Sequence, residues 1–232
     1  MNKIDYIGLV SHEIKTPIAS ITGYADIIRN GMVDEDTVKR FADKIYRESN
    51  RMGKLVDDLA YLIKYYEEDM VPQLYEKGVY RIAVNAAERI QVLYNYRGRI
   101  DINIRGNAKA MLDEFMLEEA IFKIFDNAVL YGNNEYKMNE TQEDMSYVTI
   151  DVDIKKVEGK FFISIADRGV GINEDEMEKV FDVFYRVNKK DSRMIGCNGL
   201  GLPVVKAITT IHAGDCRIER NQYGGTTVSM YI

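Results

Sequence analysis

The sequence predicts two parts, a helical hairpin over residues 1–70 and an α+β domain over 75–232. Three observations predict this. Apolar residues in the first part recur at alternating three- and four-residue spacing, the period of a helix seam. Beyond Val71-Pro72 two-residue alternation appears, the mark of half-buried strands. Helical stretches are set among those strands in an order that argues for a sheet with helices on one face.

In the first helix Ile4, Ile7, Ser11, Ile14, Ile18, Ile21, Ala25 and Ile28 form the seam. Asn30-Gly31 is a stop, because glycine tolerates the left-handed geometry at a helix C-terminus. Asp34, Glu35 and Asp36 suit the start of a second helix, where negative charge meets the positive end of the dipole. Val38, Phe41, Ile45, Met52, Leu55, Leu59 and Leu62 are its stripe. Two amphipathic helices cannot bury both stripes against each other alone. A homodimer closing a four-helix bundle is the simplest solution.

In the second part, Tyr80 to Asn95 reads as a helix and Arg99 to Ile104 as a strand. Leu112 to Leu130 reads as a long helix with Leu117, Ala120, Ile121, Ile124, Phe125 and Ala128 on one face. Asn133 to Ser146 is a polar insertion. Val148 to Ile154 and Lys160 to Ala166 alternate as strands, joined by a turn at Lys156 to Gly159. Leu202 to Ile211 is helical, with Pro203 in the first turn, where a missing amide is harmless. Cys216 to Arg220 and Thr226 to Ile232 close a last hairpin around Gly224-Gly225.

Composition narrows the function classes. The 232 residues carry a net charge of −6, divided evenly about Met70, so neither part is a basic arm for nucleic acid or membrane. Two cysteines, Cys197 and Cys216, are too few for a disulfide framework and fit a reducing, cytoplasmic compartment. No His/Cys cluster has metal-ligand spacing, and no apolar run approaches a membrane span. Any sensor or membrane anchor is expected in segments outside these residues.

The stretch Ser11-His12-Glu13-Ile14-Lys15-Thr16-Pro17 is the most informative. His12 falls one step off the seam and is expected to face solvent. A neutral imidazole is a competent nucleophile near neutral pH. The adjacent Glu13 can take the proton from its other nitrogen. Thr16 lies one turn on, on the same face. Pro17 removes a helical hydrogen bond below the histidine and should bend the helix there. A solvent-exposed histidine on a helix is, taken alone, usually nothing more.

This stretch resembles the phosphoacceptor box of sensor histidine kinases, Ser-His-Glu-x-(Arg/Lys)-Thr-Pro-(Leu/Ile), with Ile18 completing the match. The resemblance implies that His12 is the phosphoacceptor and that Glu13 assists. It also implies that Glu13 and Thr16 serve a phosphatase activity, in which Thr16 orients a water.

Four stretches of the second part point to a nucleotide. Asp126-Asn127-Ala128 offers an amide oxygen that can ligate Mg2+. Asp167-Arg168-Gly169-Val170-Gly171 follows a strand. Its aspartate can accept from an adenine amino group, and its glycines let backbone approach the base. Phe181 to Arg186 supplies aromatics to anchor a lid that extends to about Asn198. Gly196 to Leu202 leads into a helix whose free amides can hold phosphates. Singly, each has an ordinary reading as a turn or as core.

Together they resemble the N, G1, F and G2 boxes of the ATP-binding fold shared by histidine kinases, DNA gyrase, Hsp90 and MutL, an α/β sandwich with a mixed sheet. The resemblance implies Asn127 as Mg2+ ligand, Asp167 for adenine, Gly169 and Gly171 beside the base, and Tyr131 as a stacking wall. It further implies Gly199 and Gly201 as phosphate-loop glycines, Thr226 in a final glycine-threonine motif, and Arg186 reaching the terminal phosphate. A Walker-type phosphate loop is absent.

The expected function is that of a sensor kinase core. It uses ATP and Mg2+ to phosphorylate His12 within a homodimer, then passes the phosphoryl group to an aspartate of a response-regulator receiver domain. Three positions depart from the family pattern: Lys123 and Leu130 in the N box, and Cys197 in the G2 loop. They motivate one alternative, a degenerate kinase acting as a dimeric scaffold. They also make Lys123 a candidate for direct phosphate contact. A gyrase-like ATPase is disfavoured, since Lys123 stands where those relatives carry a water-activating glutamate.

Overall fold

α1 (Lys3–Arg29) and α2 (Glu35–Tyr66) are the two helices that the seam spacing predicts. The computed structural model describes residues 3–31, 33–66, 70–94, 98–132, 146–157, 159–188 and 196–232. The chain divides into two compact units, 1–60 with 188–198 and 61–187 with 199–232. Among the described residues no helix is long and apolar enough to cross a membrane.

In the first unit, α1 stops where Asn30-Gly31 predicts. Gly31 takes φ +67°, and the amides of Asn30 and Gly31 turn back to the carbonyls of Asp26 and Ile28 at 3.0 and 3.1 Å. Asp34 then opens α2, its carboxylate accepting the Thr37 amide at 2.7 Å. That bond holds the Asp34 pKa below the ordinary aspartate value. α1 continues through Pro17. Ile14, Ile21 and Ile28 on α1, and Val38, Phe41 and Ile45 on α2, are only half-buried. Tyr24 and Phe41 bring the helices together with ring centroids 5.0 Å apart. The side chains of Ile4 and Ile7 lie outside the described residues.

In the second unit a five-stranded sheet has the order β2-β4-β5-β7-β6, comprising β2 (Gly98–Gly106), β4 (Ser146–Val157), β5 (Lys160–Ala166), β6 (Asp215–Arg220) and β7 (Thr226–Tyr231). β2 pairs with β4 in parallel and every other pair is antiparallel, so the sheet is mixed. The register explains its two faces. Ile154, Ile163 and Met230 stand opposite one another across β4, β5 and β7, and all three are buried. One residue along, Lys155, Phe162 and Tyr231 line up on the outer face. There the Phe162 and Tyr231 rings lie 4.8 Å apart and Lys155 Nζ sits 4.7 Å from the Phe162 centroid, which shields exposed aromatic surface.

The inner face is covered by α3 (Val79–Tyr94), α4 (Glu114–Tyr131) and α5 (Gly201–Ile211), each close to its expected span. Ile121, Phe125 and Ile208 are among the residues of this layer that are lost to solvent. Gly159, at φ +84°, fits the expected β4–β5 turn, whose residue 158 lies outside the described residues. So does the polar insertion over 133–145.

One element departs from expectation. Leu112, read as the start of a helix, ends a short strand β3 (Lys109–Leu112) that pairs with β1 (Tyr75–Gly78). Asp113 then caps α4, accepting the Met116 amide at 3.2 Å. Four-residue strands are too short to establish a two-residue period, which is why neither was legible.

Candidate active site

In the hairpin, His12 faces solvent as its off-seam position predicts, with its side chain 68% exposed. Glu13 is the reverse: its side chain is 7% exposed, and its Oε1 lies 3.8 Å from His12 Nδ1. That separation is beyond hydrogen-bonding distance, so the pair is poised rather than bonded. Because Glu13 lies on the Nδ1 side, Nε2 is the nitrogen turned away from it. Thr16 donates its hydroxyl to the His12 carbonyl at 3.1 Å, one turn back along the same face.

Arg51 of α2 was not anticipated. It is buried, and its Nη2 meets Glu13 Oε2 at 3.3 Å while Nη1 meets Glu48 at 3.4 Å. The signal was present in the pattern: Glu48, Arg51, Leu55, Asp58 and Leu62 follow three-and-four spacing, which places charged residues on a burying stripe. A buried charge persists when it is paired.

The residues expected to hold the nucleotide fall in the second unit. Asp167 directly follows β5 and is held through its Oδ1 and its carbonyl. Its Oδ1 accepts the amides of Gly169 at 2.7 Å and Thr226 at 3.2 Å. The Asn221 side chain donates to its carbonyl at 2.8 Å. Among the described residues Oδ2 accepts no hydrogen bond. Burial pushes the Asp167 pKa above the ordinary value, opposed by the two amide bonds. Asn221 is a second residue that the sequence did not single out. Its Oδ1 also accepts the Tyr223 and Gly225 amides at 3.0 and 3.1 Å, so it organises the turn behind Asp167.

Close backbone approaches explain four glycines. A Cβ on Gly169 would come within 2.3 Å of the Tyr131 carbonyl, which fixes the end of α4 against the Asp167 loop. One on Gly225 would come within 2.4 Å of the Asp167 carbonyl. Gly199, at φ +71°, would meet the Tyr185 carbonyl at 2.6 Å, and its own carbonyl accepts the Phe184 amide at 2.9 Å. Gly171, at φ +70°, lies equally tight against Gly224.

Asn127 and Gly201 also meet, since a Cβ on Gly201 would stand 3.4 Å from Asn127 Nδ2. Tyr131, one turn beyond Asn127 on α4, is half-exposed and continues this line toward Asp167. The structure thus brings Asn127, Tyr131, Asp167, Gly169, Gly201 and Thr226 into one neighbourhood of one unit. Arg186 is buried in the same unit. Residues 189–195 of the expected lid lie outside the described residues.

The departures from the family pattern acquire physical reasons. Lys123 pairs with Glu119 at 3.2 Å on α4, and its side chain is 12% exposed. Glu119 in turn binds Arg89 of α3 at 3.1 Å, so Lys123 belongs to a helix-to-helix ion network. Leu130 is a core residue at 5% exposure, where a lysine would lose its hydration. Cys197 is buried as well. No group of three or more His, Cys, Asp or Glu could hold a metal among the described residues. A lone amide oxygen, Asn127 Oδ1, suits Mg2+ whose other ligands are waters and phosphate oxygens.

Comparison with known proteins identifies the two parts of the chain. Residues 112–232 match the model described as histidine kinase-, DNA gyrase B-, and HSP90-like ATPase, and residues 3–64 match the His Kinase A (phospho-acceptor) domain. The sensor-like histidine kinase SenX3 of Mycolicibacterium smegmatis is 31% identical over 229 residues, covering 98% of this chain and 56% of that protein. The sensor histidine kinase WalK of Bacillus subtilis is 27% identical, covering 98% of this chain and 36% of that protein. The chain therefore spans about half the length of the SenX3 relatives or less of WalK.

Among solved structures, the Acinetobacter baumannii histidine kinase AdeS matches with a TM-score of 0.66 at 19% identity, over 95% of this chain and 96% of that one. Histidine kinase ThkA, solved in complex with response regulator protein TrrA, matches with a TM-score of 0.69 at 19% identity, over 98% of this chain and 60% of that one. At such identities these two show a common fold. The chain belongs to the family of histidine kinase-, DNA gyrase B- and HSP90-like ATPases and, with its phospho-acceptor domain, to the sensor histidine kinases.

Proposed function

We propose that this chain is the catalytic core of a sensor histidine kinase that transfers the γ-phosphoryl group of ATP to His12. The observation that carries the reading is the pairing of an exposed imidazole with a buried carboxylate on its Nδ1 side. His12 Nε2 attacks the γ-phosphorus in line, the bond from phosphorus to the bridging oxygen breaks, and ADP departs. The Nδ1 proton passes to Glu13 once a rotamer change closes the 3.8 Å gap.

In the second unit, Asp167 Oδ2 is the acceptor left for an adenine amino group, with Tyr131 as the wall of the base pocket and Gly169 and Gly171 admitting the base. Thr226 supports Asp167 through its amide. Gly199 and Gly201 bring free amides at the start of α5 to the phosphates. Asn127 would hold Mg2+, which supplies charge neutralisation between the phosphates. Arg186 is assigned to the developing charge on the terminal phosphate.

The half-covered hairpin stripes support a homodimer, and ThkA's complex with a response regulator supports transfer onward to a receiver-domain aspartate. Thr16 is assigned to hydrolysis of the receiver's phospho-aspartate, orienting the attacking water so that inorganic phosphate is released.

Incubation with γ-labelled ATP and Mg2+ tests the reading. Acid-labile, base-stable label is expected on the chain and none on His12→Gln. Label that survives in His12→Gln would overturn the site assignment. No label and no nucleotide binding would favour the dimeric scaffold.

A further inference from the structure

Asp113 lies where three segments of the second unit meet. Its Oδ1 caps α4 through the Met116 amide, and its Oδ2 accepts the Gln73 amide at 3.0 Å, from the segment that precedes β1. Its own amide donates to His212 Nε2 at 3.0 Å, just beyond the end of α5. The other ring nitrogen, Nδ1, lies 2.8 Å from the Ile208 carbonyl. A carbonyl only accepts and an amide N–H only donates. The ring therefore carries its hydrogen on Nδ1 and none on Nε2, and both nitrogens of a neutral imidazole are used.

This tie sits at the far end of the same two helices that hold nucleotide residues. At the near end, Gly201 starts α5 against the Asn127 side chain. Asp113 and Asn127 stand about 20 Å apart along α4 at a rise of ~1.5 Å per residue. α4 and α5 are thus antiparallel neighbours, joined at one end by a hydrogen-bonded ring and at the other by a close approach. Between the ends both helices bury apolar residues, Leu117 and Ala120 on α4 and Val204 and Ile208 on α5. Apolar burial is non-directional and holds helices together without choosing their axial register. A ring bonded at both nitrogens is directional and does choose it.

We infer that His212 is a positioning residue for the nucleotide: through Asp113 it sets the register of α5 on α4, and with it the gap between the phosphate-loop glycines and Asn127. This rests on the nucleotide reading given above. The Gln73 bond brings the segment preceding β1 to the same junction, so that segment is anchored where the register is set.

The test is calorimetric binding of Mg-ADP to the whole chain and to two variants. His212→Gln places an amide oxygen where Nε2 stood, and so keeps an acceptor for the Asp113 amide. His212→Asn keeps a donor for the Ile208 carbonyl but falls short of Asp113. Loss of one net hydrogen bond corresponds to about a tenfold change at most sites. His212→Asn should therefore bind about tenfold more weakly, and His212→Gln within about threefold of the unaltered chain, with both variants folded. Equal affinities in all three chains, or equal losses in the two variants, would overturn the inference. If the unaltered chain itself bound no nucleotide, the nucleotide reading would fall first and take this inference with it.

Discussion

Ile150, Ile163 and Leu117 of the ATP-binding unit have no accessible surface left, whereas Ile18 and Ile27 of the hairpin keep 46% and 40% of theirs. The sheet closes its core within one chain because helices cover its inner face and the register aligns every second residue inward. The hairpin has only two helices for two stripes. Beside His12 it encloses the charged pair Glu13 and Arg51. One unit closes its own core. The other is an incomplete surface that presents the exposed imidazole proposed above as the phosphoacceptor, and a second copy of the chain is the proposed completion.

That contrast can be broken at several points. The largest effect should come from the sandwich core: Phe161→Ala deletes a side chain that is 1% exposed and should cost about 3–5 kcal/mol, as large-to-small core changes do. Denaturant unfolding should report this loss identically at low and high protein concentration. A loss that shrinks as concentration rises would mean that the sandwich, too, relies on a partner.

Next comes Arg51→Met, which strands the buried Glu13 carboxylate and should cost about 3 kcal/mol in the hairpin. Adding Glu13→Gln to it should recover part of that stability, while labelling of His12 stays low in both. Recovery of labelling in the double variant would show that Glu13 is not the proton acceptor.

A smaller effect separates one copy from two. Ile18→Ala changes a half-exposed side chain, so the single chain should hardly notice. The dimer should lose about 1–2 kcal/mol, roughly a tenfold rise in dissociation constant. Sedimentation across a concentration series would show it, and an unchanged constant would remove Ile18 from the interface.

The smallest concerns Asp34. Its pKa is lowered in the folded state, so its contribution to the start of α2 is complete above the unfolded aspartate value of about 3.9 and is lost as pH falls through the depressed folded value. The protection factor of the Thr37 amide against hydrogen exchange should fall over that acid window and stay flat in Asp34→Ala.

Much of both units could be read from residue order alone, for reasons particular to each element. Ile14 to Ile28 repeat often enough to define a helical face, and Asn30-Gly31 and Asp34 mark its end and the next start through local backbone chemistry. β5 could be read because Phe161, Ile163 and Ile165 alternate with more exposed neighbours over seven residues. β1 and β3 could not, because four residues give no period and their pairing joins positions far apart in sequence. Asp167 and Gly169 were legible as a tight turn after a strand because glycine admits close backbone approach and aspartate accepts the amide two residues on, as Asp167 does from Gly169. Arg51 and Asn221 were not, since each acts on a residue distant in the chain.

By itself, then, the sequence determined the helical periods, the caps, the inward face of each long strand and the residue types available for chemistry. These follow from bonds and side-chain spacings within a few residues. Only the tertiary structure decided that β2 runs parallel to β4, that Lys123 is bound by Glu119, that Arg51 reaches Glu13, and that His212 meets Asp113. Each of these joins groups brought together by the packing of whole elements, and even the Lys123 pair, one helical turn apart, depends on burial against α3 for its place.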